Sequence, residues 1–464
     1  METTLIVMWE IDRALRVFLY ILTTISVYRI IFTIIGVVLR PKKFKPTINK
    51  YKYAILIPAR NEEKVIGQLI DSINKQDYIK DDKGLITVFV VADNCSDKTA
   101  EIARQAGAVV YERPNPPKKQ RRKGFALKLL VENIRKDYGI ETFDGYLIMD
   151  ADNLLSKNYM TKMNDAFDDK NFDMFSSYSD TKNFGTNLAS SFASMIYYTQ
   201  TVRNHRAMAV LGLNPFSDGR GVLMRNNILA KTGFKWTGLA ENYEFCYELI
   251  THGIRTTWVE DAKYFDEQPL QFRIITRQHM RWARGSILAF FKYSTRLLLG
   301  ILIPYDFDKD YRTNTPRKGN IFKRTSVGLK KRFSCFDALL LPLWIFTFVL
   351  VPLYSIQSLI FKIYVPSHDL TPMFTTLILY FATYFVSTYA NFGLAIIREH
   401  RKMRISPIKL FFYFLIWPMM QMIVDYVYFF AIFWPVKWKR IPHVIDHQIE
   451  DIYDTPTLSQ TFSQ

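Results

Sequence analysis

Residues 53–63 read YAILIPARNEE, an apolar run that passes at once into a polar turn. The same arrangement recurs downstream: LITVFVVA (85–92), AVVYE (108–112), GYLIMD (145–150) and FDMFSSY (172–178) are short apolar runs of strand length. Between them, 62–75, 97–106, 124–138 and 157–168 have helical patterning. Ser96 and Ser156 are placed to cap two of these helices, and Gly107 to close one. Alternation of this kind across residues 50–270 predicts a mainly parallel sheet covered on both faces.

Such a sheet takes ligands at the carboxyl ends of its strands. Three polar clusters fall there: Pro58-Ala59-Arg60-Asn61-Glu62, Asp93-Asn94 and Asp150-Ala151-Asp152. There is no GxGxxG and no GxxxxGK[ST], so neither a dinucleotide fingerprint nor a P-loop is supported. Asp150 and Asp152, at i and i+2 on a strand end, are able to aim two carboxylates at one site. Close anions need a cation, and hard oxygen ligands without His or Cys point to Mg²⁺ or Mn²⁺ completed by phosphate oxygens. The plain alternative is an ordinary strand–turn. Lys123-Gly124, at a helix start, offers a cation and backbone donors to a diphosphate. Its neighbours Lys118, Lys119, Arg121 and Arg122 read equally well as a solvated loop. Asp93 suits the imide N–H of a nucleobase, or else an Asx turn.

Working outward, the ends of the chain are far more apolar than its middle. Residues 17–39 carry one charge, Arg29, over 23 residues, enough to cross a bilayer. They are expected to span rather than to be cleaved as a signal peptide. The runs 336–361, 373–397 and 408–434 are further spans, whereas 285–303, with Lys292 and Arg296 one turn apart, suits a helix in the interface. The topology does not close: Lys437, Lys439 and Arg440 argue for an internal tail that three later crossings would put outside. The segment 408–434, broken by Pro418 and carrying Asp425, is therefore expected to be re-entrant. Arg29 and Asp425 are intramembrane charges that either serve function or face protein.

The 464 residues hold 61 Lys+Arg against 43 Asp+Glu, a net charge of +18. Much of the excess lies beside the apolar segments (Arg40 to Lys45, Lys323 to Arg332, Arg398 to Arg404), where the positive-inside rule puts it, so nucleic acid is not an expected partner. With 49% hydrophobic and 15% aromatic residues, disorder is excluded. Cys95, Cys246 and Cys335 form no disulfide or zinc pattern. His443 and His447, i and i+4 near the tail, read as a surface pair.

IPARNEE (57–63), VVADNCSDKTAEIARQAGA (90–108), KGFALK (123–128), MDADN (149–153), GRGVLM (219–224), ENYEF (241–245) and QHMRW (278–282) occur in an order that resembles the membrane-embedded family 2 glycosyltransferases, the inverting group with cellulose, hyaluronan and poly-N-acetylglucosamine synthases. The resemblance covers about residues 50–300. It implies an α/β GT-A-like (Rossmann-like) domain at 50–270, after a transmembrane helix and linker at 1–49. Interface helices with the QHMRW box would follow at 271–332, transmembrane helices at 333–440 and a tail at 441–464. It implies a multi-pass protein of the plasma membrane with a cytoplasmic catalytic domain. A UDP-sugar would be the donor, Mg²⁺ or Mn²⁺ the cofactor, and a growing polysaccharide or a lipid-linked saccharide the acceptor.

Residue by residue, the resemblance implies that Pro58, Ala59, Asn61, Glu62 and Asp93 hold the uridine and that Lys123 lies near the nucleotide. Asp150 would contact the donor, Asp152 the metal, and Gln278, Arg281 and Trp282 the acceptor and leaving group. One departure stands out. The family reads Thr-Glu-Asp at its catalytic base, and this chain reads Ala240-Glu241-Asn242. Inversion needs a base for the acceptor hydroxyl, which Asn242 cannot be. Glu241 is expected to serve, with Glu244 the other neighbouring carboxylate. Two further readings stay open: single transfer to a lipid carrier or glycolipid, and a non-catalytic sugar-nucleotide-binding subunit.

Overall fold

A computed structural model describes residues 2–302, 321–340, 343–403 and 405–434. In chain order its elements are α1 (Glu2–Val38), β1 (Tyr53–Ala59), α2 (Ile66–Asn74), β2 (Ile86–Asp93), α3 (Thr99–Gln105), β3 (Val109–Arg113), α4 (Lys123–Asp137), β4 (Gly145–Ile148), β5 (Leu154–Leu155), α5 (Tyr159–Phe167), β6 (Met174–Thr181), α6 (Leu188–Gln200), α7 (Ala207–Leu211), β7 (Val222–Arg225), α8 (Asn226–Thr232), α9 (Glu241–Thr251), β8 (Thr256–Asp266), α10 (Phe272–Leu302), α11 (Ile321–Leu340), α12 (Leu343–Tyr364), α13 (Thr371–Glu399) and α14 (Pro407–Phe433).

The strands form one sheet in the order β3-β2-β1-β4-β7-β6-β8-β5. The first four are parallel, as the alternation predicts. Beyond them the sheet is mixed: β7 runs antiparallel to both β4 and β6, β5 antiparallel to β8, and β6 parallel to β8. Three strands were not read from sequence. β5 is two residues long, β7 is four, and β8 carries Glu260, Asp261 and Lys263 through a register shift that breaks its apolar pattern. The expected caps are corrected too. α3 starts after Lys98 and α5 after Asn158, neither with a side-chain cap, so Ser96 and Ser156 lie in the preceding turns.

Strand alternation sends Ile55, Ile57, Val88 and Val90 to one face, against Ile66, Leu69 and Ile70 of α2 and Met160 and Met163 of α5. Ala54, Leu56, Phe89 and Val91 go to the other, against Leu127, Leu130 and Val131 of α4 and Phe245 and Leu249 of α9. Burial on both faces is why these strands are apolar throughout. Each fully buried aliphatic contributes about 1.5–3 kcal/mol. Gly124 admits the start of α4 against the Trp236 carbonyl, and Gly285 admits α10 against Ala240 at the start of α9; a Cβ at either would collide.

Among the described residues, four helices are long and apolar enough to cross a membrane: Ile6–Val38, Phe272–Leu302, Thr371–Lys402 and Pro407–Phe433. The stretch 285–303, read as an interface segment, belongs to the single 31-residue helix α10, with its last residue outside the described part. The run 336–361 divides between α11 and α12. Arg404, Lys437, Lys439, Arg440, His443, His447 and the tail also lie outside the described residues.

The helices dock on the sheet domain through α6, whose Phe192, Met195 and Ile196 pack on Phe392 of α13 and Trp417 and Val424 of α14. A buried ionic cluster adds to this joint. Arg206 pairs with Glu399 at 3.0 Å and with Glu260, while Tyr178 and Lys402 bond Glu399 at 2.8 and 2.6 Å.

Candidate active site

The carboxyl ends of β1, β2 and β4 open into a cavity of about 540 Å³. Pro58, Ala59, Glu62, Asp93, Lys123, Asp150, Asp152, Glu241, Asn242, Gln278, Arg281 and Trp282 all line it, so residues spread over 225 positions meet in one place. Asn61 does not. It adopts φ +58° and exchanges hydrogen bonds with Ser96, shaping the turn, while Arg60 faces the cavity instead. A positive φ is tolerated best by Gly, Asn and Asp, which accounts for Asn here.

The strand-end part of the cavity is dense in ion pairs. Lys123 Nζ lies 2.5 Å from Asp150 and 3.8 Å from Glu241, and donates to the Gly219 carbonyl at 2.9 Å. Arg220 reaches Asp266 at 2.5 Å and Asp150 at 3.8 Å, with Tyr197 stacked 5.2 Å away. Burial works against the Arg220 charge, but Asp266 and its neighbours outweigh it and hold the guanidinium well above its usual range. Asn153 ties the turn together, donating to Asp266 at 3.1 Å and to Asp152 at 3.4 Å. Asp93 accepts from Arg113 at 2.8 Å; burial pushes its carboxyl up and Arg113 only partly restores it.

The start of α9 is sorted by direction. Glu241 faces Lys123. The Asn242 amide donates to the Ser217 carbonyl at 3.2 Å. Glu244 is drawn off to Lys292 at 3.0 Å and does not line the cavity. On the facing wall, α6 runs into a π-helical segment, Thr201–Arg206, that presents Arg203, Asn204 and His205. Burial and the nearby Arg29 push Arg203 down to about 10. Arg281 donates to the Leu239 carbonyl at 3.1 Å, and His279 meets Trp282 edge-on at 4.9 Å.

The cavity continues between the apolar helices. Thr388 and Asn391 of α13 and Gln421, Asp425 and Tyr428 of α14 line this part. Asp425 accepts from Tyr384 and Gln421, each at 2.8 Å. Arg29 also lines it and pairs with Asp337 at 3.2 Å. Both charges set in the apolar helices thus face protein and the cavity.

Sequence reading missed Arg220, Asp266 and the π-helical segment. Arg220 stood inside GRGVLM without a role, and Asp266 was legible only once residues 256–266 were known to be a strand ending at the same edge.

A sheet with acids and cations converging at its strand ends is an α/β domain with a polar ligand site, and similarity identifies its family. The model of glycosyltransferase-like family 2 matches residues 51–285, about half of the chain. The chain belongs to that family. It is 41% identical over 58 residues to a 4,4'-diaponeurosporenoate glycosyltransferase of Staphylococcus haemolyticus, which is 12% of this chain and 14% of that protein. It is 40% identical over 63 residues to an uncharacterized protein of Methanocaldococcus jannaschii, 14% of this chain and 23% of that one. The chain thus matches less than a quarter of these relatives' lengths. Among solved structures, a mannosyltransferase from Pyrobaculum calidifontis in complex with GDP-Man and Mn²⁺ aligns over 81% of this chain and 98% of its own, at 15% identity and a TM-score of 0.47.

Proposed function

We propose that this glycosyltransferase moves a hexose or N-acetylhexosamine from a UDP-sugar, with inversion, onto a growing polysaccharide. The helices would hold it in the plasma membrane with the sheet domain on the cytoplasmic side. The observation that carries this reading is the single cavity, ion-paired at the strand ends and lined by hydroxyls, amides and Asp425 between the helices. One end suits a nucleoside diphosphate and the other an acceptor rich in hydroxyls.

In this reading Pro58, Ala59, Glu62 and Asp93 wall the uridine, with Asn61 shaping their turn. Lys123 and Arg220 face the diphosphate and stabilise the charge that develops as it leaves. Asp150 holds these two cations in register. Among the described residues, no three His, Cys, Asp or Glu side chains are grouped to hold a metal by themselves. Asp152, 8% exposed on the cavity wall, fits a divalent ion whose other ligands are donor phosphate oxygens. Such an ion, Mg²⁺ or Mn²⁺, would neutralise the leaving group. Gln278, Arg281 and Trp282 form the acceptor wall, where an indole gives a sugar ring a flat face.

The test uses detergent-purified protein, a panel of UDP-sugars and either metal, following UDP release and product size. Metal-dependent release with one sugar and a long product is expected. A single-sugar, lipid-extractable product would replace the polysaccharide with a lipid acceptor, and turnover of GDP-sugars alone would overturn the donor.

A further inference from the structure

We infer that Asp218, not Glu241, takes the proton from the acceptor hydroxyl; the inference rests on the transfer reaction proposed above. Glu241 is held on the donor side. Lys123 stands 3.8 Å from it, and Arg281 lies near enough to feel its charge. A carboxylate beside the cation that faces the diphosphate positions that cation for the donor. Asn242 has no basic site, and its amide is bonded to the Ser217 carbonyl.

That bond leads to Asp218. The Asn242 side chain lies against the Ser217–Gly219 turn, its Cβ 3.0 Å from where a Gly219 Cβ would stand. The turn's last carbonyl, Gly219, holds Lys123, which in turn contacts Asp150. Asp218 is therefore one residue from the donor cluster and beside the position at which the family carries its base. It lines the cavity with its side chain 19% exposed. Among the described residues its ion-pair partner is His205, Nε2 at 3.7 Å, which also lines the cavity and stacks on Trp258. Its charge also reaches Tyr197 of α6, Tyr243 and Cys246 of α9, and Tyr264 of β8. Among the described residues Asp218 thus meets His205 across the cavity wall where Glu241 meets Lys123.

The step balances. The acceptor O–H proton passes to the Asp218 carboxylate as the acceptor oxygen bonds to the anomeric carbon. The bond from that carbon to the phosphate oxygen breaks, its electron pair leaving with the diphosphate. Asp218 later loses the proton to solvent.

The experiment compares Asp218→Asn, Glu241→Gln and Asp218→Asn/Asn242→Asp, measuring turnover alongside donor binding by calorimetry with metal present. Loss of a general base lowers kcat by about 10²–10⁴-fold, so Asp218→Asn is expected to fall in that range with donor Kd within about threefold of wild type. Returning a carboxylate at position 242 recovers at least about tenfold of that loss. Glu241→Gln instead weakens donor binding. Wild-type kcat retained in Asp218→Asn, or a kcat loss confined to Glu241→Gln with donor binding intact, overturns the inference. Should Asp218→Asn fail to bind donor, Asp218→Ala with added formate decides: restored turnover supports the base, and no restoration rejects it. Wild-type turnover tests the reaction itself, so the two readings fail separately.

Discussion

The two ends of the cavity are built differently. At the strand ends, Lys123, Arg220, Asp150, Glu241 and Asp266 interlock as ion pairs on a frame buried on both faces. Between the helices, Asp425, Tyr384 and Gln421 are joined by neutral or single-charge hydrogen bonds on long elements. A fixed cluster of charge suits a ligand whose charge changes during reaction, because it costs no reorganisation at that moment. Hydroxyls and amides suit a ligand that has to arrive, turn and leave.

Substitutions at the two ends should therefore separate cleanly. Asp152→Ala is expected to have the largest effect, about 10³-fold or more on transfer with metal-dependent donor binding lost. Retained metal dependence would break the donor-end assignment. Arg220→Met comes next, at about 10²-fold in kcat/KM, because it removes a phosphate contact and takes from Asp266 its ion-pair partner at 2.5 Å. Steady-state kinetics with calorimetry of donor binding checks both. Asp425→Asn with Gln421→Leu should shift acceptor KM or product length about tenfold with donor Kd unchanged; an equal loss of donor affinity would erase the contrast.

The smallest effect is a control away from both ends. Burial raises the Glu248 carboxyl, but Lys235 at 2.5 Å and hydrogen bonds from Trp236 and Tyr293 outweigh this and hold it below its usual 4.5. Its folded value is depressed, so the stability it contributes is present above 4.5 and fades as pH falls through the folded value. Glu248→Gln should cost about 1–3 kcal/mol at neutral pH and flatten the acid limb of a Tm-against-pH curve, while leaving the kinetic contrast between the ends intact.

The same contrast governs what the sequence disclosed. The strand-end part was legible because β1, β2 and β4 each run straight into the polar residues they deliver, as in IPARNEE and MDADN. Arg220 and Asp218 were harder, since β7 is four residues long and follows a loop with no period. The helix end was barely legible. Asp425 and Arg29 were visible as charges in apolar runs, but Tyr384, Asn391 and Gln421 are ordinary polar residues until the packing of α13 on α14 turns them inward. The length of α10 was hidden because its first half, with Arg273, Arg277, Arg281 and Arg284, does not look like a span.

The most direct test of the joined cavity is to replace Gln421 with a photoreactive amino acid and illuminate the enzyme during synthesis from a radiolabelled UDP-sugar. The account predicts that labelled product is captured there, in step with turnover and not in Asp152→Ala. Capture at an equivalent probe at Tyr197 on the sheet-domain wall, with none at Gln421 in an active enzyme, would contradict it.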